Sequence, residues 1–444
     1  MSCHIAISGT NWSRPAALSL LASLAVIAHP ACGQDAATAP PPPAATNQPP
    51  STLNPQPSTR STELRLGPFD IQPRITTGVT YDDNILASSQ NPESDWIWSL
   101  QPAILAVAGD RLAFEDYKRQ YHNVVGFNPD TFIIRDQAEW PDGAFILDYG
   151  PRFNWFTTYD QNDSIDELLN ANLLWPMSKL ILGARQQYRL ENTTLIEAGQ
   201  RTEQEIIATD LSSAYQFGEK TSGELNLHRV STSYESPQFL GYTDWKADGW
   251  LNYQIFPRLN TGTGAVLGFL DVQDQQSQTY EQFLARARYQ FGERLSADLS
   301  VGGQVRQYES GRDQTVEPMF SLTGYYRPTE TTALWLTGDR HEQAAIFSGA
   351  NYIRTGASVG ASQQFADRYF LIVDLSYYTY DYLANTQTAV SSRTDNYALA
   401  KLGFEVRFSH QLVGNAFYQF RTLNSNQYDG FNNNQIGAQL TWTY

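Results

Sequence analysis

Apolar and polar side chains alternate along most of this chain with a period of two. Near the C-terminus Ile436, Ala438, Leu440, Trp442 and Tyr444 alternate with Gln435, Gly437, Gln439, Thr441 and Thr443. The same division separates Leu295, Ala297, Leu299 and Val301 from Ser296, Asp298, Ser300 and Gly302, and Ala400, Leu402, Phe404 and Val406 from Lys401, Gly403, Glu405 and Arg407. A helix would spread these residues round its circumference, whereas a strand puts each set on one face. The segments run to roughly 10–15 residues, against a mode of about 5–6 in soluble sheets and about 9–11 for a tilted strand that crosses a bilayer.

Short turns rich in Gly, Pro and charge take turns with longer polar loops. Gly109-Asp110, Pro141-Asp142-Gly143, Pro257-Arg258 and His410-Gln411 are of the first kind; residues 82–94, 191–202, 341–351 and 384–394 are of the second. With both ends of the sheet on the short-turn side, this spacing predicts an all-β transmembrane antiparallel barrel of about 20 strands, with 18 as the lower count. No apolar run approaches the length of a spanning helix, and the mean hydropathy is −0.42. Charged residues make up 17% of the chain and aromatic residues 13%, so a charged aqueous surface does not cover all of it. In hydrocarbon every backbone N–H and C=O needs an internal partner, and a closed sheet supplies one.

The chain is expected to be exported. Residues 1–33 place Arg14 before a short apolar stretch, residues 16–28, and a small-residue site, Ala31-Cys32-Gly33, which reads as a cleaved secretory signal. Residues 34–62, rich in Pro, Ala, Ser and Thr, read as a disordered lead-in, and residues 63–444 as the barrel. Both cysteines, Cys3 and Cys32, fall in the signal, so the mature chain is expected to hold no disulfide and no cysteine metal site. The formal net charge of −16 argues against nucleic acid as a partner.

Aromatic residues end the apolar faces. Tyr369 and Tyr377 bracket Leu371, Val373 and Leu375, and their separation covers roughly 20 Å along the membrane normal at about 3.3 Å per residue and a tilt near 40°. These two, with Trp442 and Tyr444, are the expected interface aromatics, in contact with outer-membrane lipid and lipopolysaccharide. A last strand ending in Trp442-Thr443-Tyr444 has the form that barrel-insertion machinery engages.

The segment Thr76-Thr-Gly-Val-Thr-Tyr-Asp-Asp-Asn-Ile-Leu86, followed by Ser94-Asp-Trp-Ile-Trp-Ser-Leu-Gln-Pro-Ala-Ile-Leu105 and Arg111-Leu-Ala-Phe-Glu-Asp-Tyr117, resembles the β-barrel porin 2 group of outer-membrane proteins. The resemblance covers about the first 50 residues of the expected barrel and implies an outer-membrane location in a Gram-negative cell, about 18 strands, and a link with exopolysaccharide biosynthesis.

No catalytic constellation stands out. His228, beside Glu224 and Asn226 on a polar face, lacks a recognisable nucleophile and third member, so it reads as a lumen residue and the chain as a non-enzyme. Residues 160–166 and Asp82-Asp83-Asn84 are oxygen-rich but lack the spacing of a calcium loop, so they read as solvated loops, and no cofactor or metal is expected. Turning each apolar set toward lipid puts Arg152, Arg185, Arg189, Arg286, Arg288, Arg306, Arg354, Lys401 and Arg407 inside. Asp148, Asp210, Glu224, Asp248, Asp298, Asp374 and Glu405 go with them. Two arrangements fit: a cationic track for anions or anionic sugar polymers, or arginine–carboxylate pairs that stiffen the wall.

The reading is an outer-membrane channel, with export of exopolysaccharide implied by the resemblance. The alternatives are a general or substrate-selective diffusion porin and a structural or surface-binding barrel without transport.

Overall fold

The computed structural model describes residues 64–109, 143–195, 200–275, 277–292, 294–309, 314–345, 351–383 and 393–444. The strands in chain order are β1 (Leu64–Leu66), β2 (Phe69–Asp82), β3 (Asp95–Gly109), β4 (Ala144–Phe156), β5 (Ser164–Pro176), β6 (Leu180–Leu195) and β7 (Gln200–Gln216). They continue as β8 (Thr221–Tyr234), β9 (Tyr242–Phe256), β10 (Leu259–Val272), β11 (Gln278–Gln290), β12 (Leu295–Tyr308) and β13 (Thr315–Thr329). The last are β14 (Thr332–Ala344), β15 (Asn351–Phe365), β16 (Tyr369–Tyr382), β17 (Arg393–Arg407), β18 (Leu412–Ser425) and β19 (Phe431–Thr443). Each pairs antiparallel with its sequence neighbours, and β19 returns to β2 from Gln435↔Asp82 to Thr443↔Arg74. The sheet is therefore closed and has no edge.

The barrel has 18 strands, β2–β19. β1 pairs only with the foot of β2, Leu64↔Ile71 to Leu66↔Phe69, across a turn at Gly67 with φ +61°. It lies below Tyr444, whose N–H donates to Pro73 O at 3.0 Å, so it extends the row of β19 and adds no strand. The expected count of about 20 came from reading Gly109-Asp110 and Pro141-Asp142-Gly143 as two separate turns. β3 and β4 pair directly up to Gly109↔Ala144, so both belong to one connection. Residues 110–142, His122 among them, lie outside the described residues, as do residues 1–63, which hold the expected signal and lead-in with Cys3 and Cys32.

The outer face is apolar. Leu225, Leu251, Leu267, Phe283 and Leu299 project outward at mid-strand, Leu267 and Phe283 being 62% and 63% exposed. Near the short turns stand Trp175, Phe217, Phe256, Phe291, Tyr369 and Trp442; near the long loops stand Trp96, Trp98, Trp155, Trp245 and Tyr377. Trp442 packs edge-on against Tyr444 at 6.2 Å, and Tyr369 stacks on Phe404 at 6.0 Å. Asp148, Asp166, Arg306 and Glu405, by contrast, are buried on the inner face. Exposed greasy side chains and buried charges invert the arrangement of a soluble protein, and the surface that results is covered by hydrocarbon between two aromatic girdles. The protein is an outer-membrane barrel; apart from the connection between Gly109 and Ala144, its short turns lie toward the periplasm and its longer loops outside.

Candidate functional site

At this strand number the wall encloses more space than side chains fill, so what enters the lumen decides what crosses it. Two hairpins at the extracellular end enter it. β6 pairs with β5 from Pro176↔Ile181 to Glu167↔Leu190, where the ladder stops, while β6 and β7 stay paired as far as Leu195↔Gln200. β14 leaves β13 after Phe320↔Arg340, yet remains paired with β15 up to Ala344↔Asn351. In both places the wall forks.

The second fork has a local cause. Pro318 O accepts from Arg340 Nε at 3.2 Å and therefore faces β14. A strand residue directs its C=O and N–H to the same neighbour, so the N–H that proline lacks is one that β14 would have used.

Above its fork the β14–β15 hairpin lies against the inner wall of β11 and β12. Glu342 meets Arg306 at 3.1 Å, accepts from Gln304 Nε2 at 2.8 Å and from Asn351 Nδ2 at 2.6 Å. Gln278 joins them, accepting from Arg306 Nη1 at 3.0 Å and Asn351 Nδ2 at 2.7 Å. Arg306 also lies 4.6 Å over the ring of Tyr280, whose hydroxyl donates to Asp244. All five residues of this knot are buried.

The β6–β7 hairpin turns toward the opposite wall. Asn192 N donates to Asp166 Oδ1 at 3.1 Å, Arg201 lies 4.8 Å over the Phe156 ring, and Thr194 Oγ1 donates to Ile85 O at 3.3 Å. Ile85 belongs to the β2–β3 loop, which Asn84 holds inward by donating to Ser88 O and Asn432 O. Asp82 accepts from Asn84 N, Asn433 Nδ2 and Gln435 Nε2. Asp82 and Asn84 were expected in a solvated loop; their oxygens are instead spent on the seam between the first and last barrel strands.

Between the two hairpins is a cavity of about 280 Å³. Thr193, Thr194, Leu195 and Gln204 come from β6 and β7, Tyr234 and Tyr242 from β8 and β9, and Gln343, Tyr352 and Tyr380 from β14 to β16. No acid or base is among them.

The charged residues expected in the lumen project to the inner face, alternating with exposed apolar neighbours. Most meet an opposite charge: Arg152 with Asp166, Arg189 with Glu191, Arg286 with Glu224, Arg288 with Asp298, Arg354 with Asp339 and Arg407 with Glu405. Asp148 pairs with Arg74 on β2, and Arg393 with Asp395. Asp374 accepts from Ser376 and faces Lys401 across β16 and β17. His228 lies between two carboxylates, Nδ1 2.7 Å from Asp210 and Nε2 2.8 Å from Asp248. Arg185 lies opposite Asp210 in the ladder without reaching it. These are arginine–carboxylate and histidine–carboxylate contacts between residues of the wall.

The forks and the tyrosines around them were absent from the sequence reading. One signal was present: Arg201, Glu203 and Glu342 fall on the alternation face that carries Leu211 and Leu336 to lipid. A charge facing mid-bilayer lipid costs about 2–4 kcal/mol, so those segments lie beyond the apolar band.

No protein-family model matches the chain, and no curated protein does. Among solved structures, the outer-membrane protein OpdK of Pseudomonas aeruginosa is similar at 12% identity and a TM-score of 0.44, covering 84% of this chain and 99% of that one. OpdQ of the same organism aligns at 10% identity and 0.43, over 85% and 99%. Acinetobacter baumannii OccAB4 aligns at 10% and 0.40, over 84% and 98%.

Proposed function

We propose that the chain is a substrate-selective diffusion channel of the outer membrane. The observation that carries this reading is the pair of forks: a barrel wide enough to hold a water-filled lumen sends two hairpins from far-apart parts of its wall into its own mouth. A purely structural barrel has no use for a lined opening. Export of a polysaccharide chain, which the resemblance to the β-barrel porin 2 group implies, would need both hairpins to swing clear. The buried Arg306–Glu342 pair and the Thr194–Ile85 bond hold them in, so diffusion of small solutes is the better supported of the two. The matching residues on β2 and β3 build the seam and the wall rather than the opening.

Planar-bilayer recording of the purified full chain tests the reading. Discrete unitary steps are expected, and they should grow when residues 191–204 are replaced by an Asn-Gly turn joining Leu190 to Glu205, which already face each other in the ladder. Absence of steps in both proteins would refute it.

A further inference from the structure

We infer that the cavity between the hairpins is a binding subsite for an uncharged sugar ring. The inference rests on the channel reading and names the class of solute selected. The first argument is the lining. Four tyrosines line the cavity, Tyr234, Tyr242, Tyr352 and Tyr380, a residue type whose ring packs on the polarised C–H groups of a pyranose, together with the amides of Gln204 and Gln343 and the hydroxyls of Thr193 and Thr194.

The second is preorganisation. Tyr352 donates its hydroxyl hydrogen to Gln343 Oε1 at 2.8 Å, which fixes the amide and leaves Nε2 directed elsewhere; among the described residues that nitrogen has no partner. Gln204 is held in the same way, its Nε2 donating to the Tyr234 hydroxyl at 3.2 Å. Tyr352 and Tyr380 pack edge-to-face at 5.4 Å, so neither ring turns freely. A site built to hydrogen-bond hydroxyl groups rejects ligands that lack them, because its polar atoms are then left without partners.

The third is charge. Arg306, Arg354 and Arg393, the cations of β12, β15 and β17 near the mouth, are each paired with Glu342, Asp339 and Asp395. Among the described residues that line the cavity none is an acid or a base, so an ion entering it gives up hydration without a counter-charge from them. At about 280 Å³ it lies at the lower end of the roughly 300–1,000 Å³ of drug-sized sites, room for about one ring of a longer saccharide.

The experiment records single channels with maltotriose added on the long-loop side, glucuronate and tetramethylammonium serving as charged comparisons. Maltotriose is expected to cause concentration-dependent, saturable closures, with the two ions at least tenfold weaker. Tyr242→Ala and Gln343→Ala should each lower the apparent affinity by tenfold or more, and Tyr352→Phe, which keeps the ring and frees the amide, by less. Salt conductance in each variant reports that the barrel has assembled. Open channels with no sugar-dependent closures would overturn the inference and leave the channel standing. Closures by an ion alone, or undiminished closures in both alanine variants, would overturn it too. Absence of conductance would overturn both readings together.

Discussion

Glu342 lies 3.1 Å from Arg306 Nε, and the two side chains are 1% and 3% exposed, on strands that are not neighbours in the sheet. The pair joins a hairpin that has left the wall to the part of the wall it has crossed to. Breaking one partner of such a pair leaves a buried, unmatched charge, at a cost of about 3–5 kcal/mol, whereas replacing both by apolar groups is often near neutral. Glu342→Ala should therefore undock the β14–β15 hairpin, which single-channel recording would register as a larger and noisier unitary conductance. Arg306→Met combined with Glu342→Leu should recover most of the original conductance, because Gln278 and Asn351 already bond each other. An unchanged conductance in Glu342→Ala would show that the hairpin needs no such anchor.

The seam offers a separate test. Asn433 is fully buried and donates to Asp82 and to Asn84 O, joining β19 to β2 and to the loop that follows. Asn433→Ala leaves those acceptors without one donor in a site that excludes water, a loss of about 1–3 kcal/mol. The unfolding midpoint in urea, with the protein reconstituted in short-chain lipid vesicles, should fall, and the yield of heat-modifiable barrel on a gel should fall with it. A midpoint equal to that of the unaltered chain would mean that the ladder alone closes the barrel.

Much of this architecture is written in the chain's alternation, and the reason is burial. Leu299 and Val301 must face lipid and Asp298 and Ser300 must not, so a register error of one residue would reverse every side chain. The same rule shows where the reading stopped. It placed Glu342 in the polar loop 341–351, whereas β14 runs on to Ala344 and the fork makes that stretch an inner contact. Pro318, mid-strand, was a legible mark of the fork; nothing comparable marks the one between β5 and β6. The tyrosines of the cavity lie far apart in sequence, on β8, β9, β15 and β16, and no local pattern brings them together.

The lipid face gives the simplest energetic check. Leu227 points outward at mid-strand on β8, 49% exposed and opposite Leu211 and Ala247 on the flanking strands. Leu227→Lys should lower folding stability by about 2–4 kcal/mol in vesicles. The same lysine placed at Asn226, a half-buried inner-face position opposite Asp248, should cost less. Equal losses at the two positions, measured by denaturant titration, would contradict the assignment of faces.

Charge selection is predictable in sign from one exposed pair. Arg288 and Asp298 meet at 2.9 Å on the inner face of β11 and β12 near the periplasmic end, and their side chains are 50% and 37% exposed. An exposed pair contributes about 0–1 kcal/mol to stability, so removing either partner should leave the barrel folded. Its effect on the field in the lumen is another matter, because each partner presently cancels the other. Arg288→Ala leaves Asp298 uncompensated and should move the reversal potential in a salt gradient toward cation preference. Asp298→Asn leaves the guanidinium and should move it toward anions. If both variants shifted in the same direction, or neither shifted, the permeating ions would not pass this pair, and the path through the lumen would have to lie along another part of the wall.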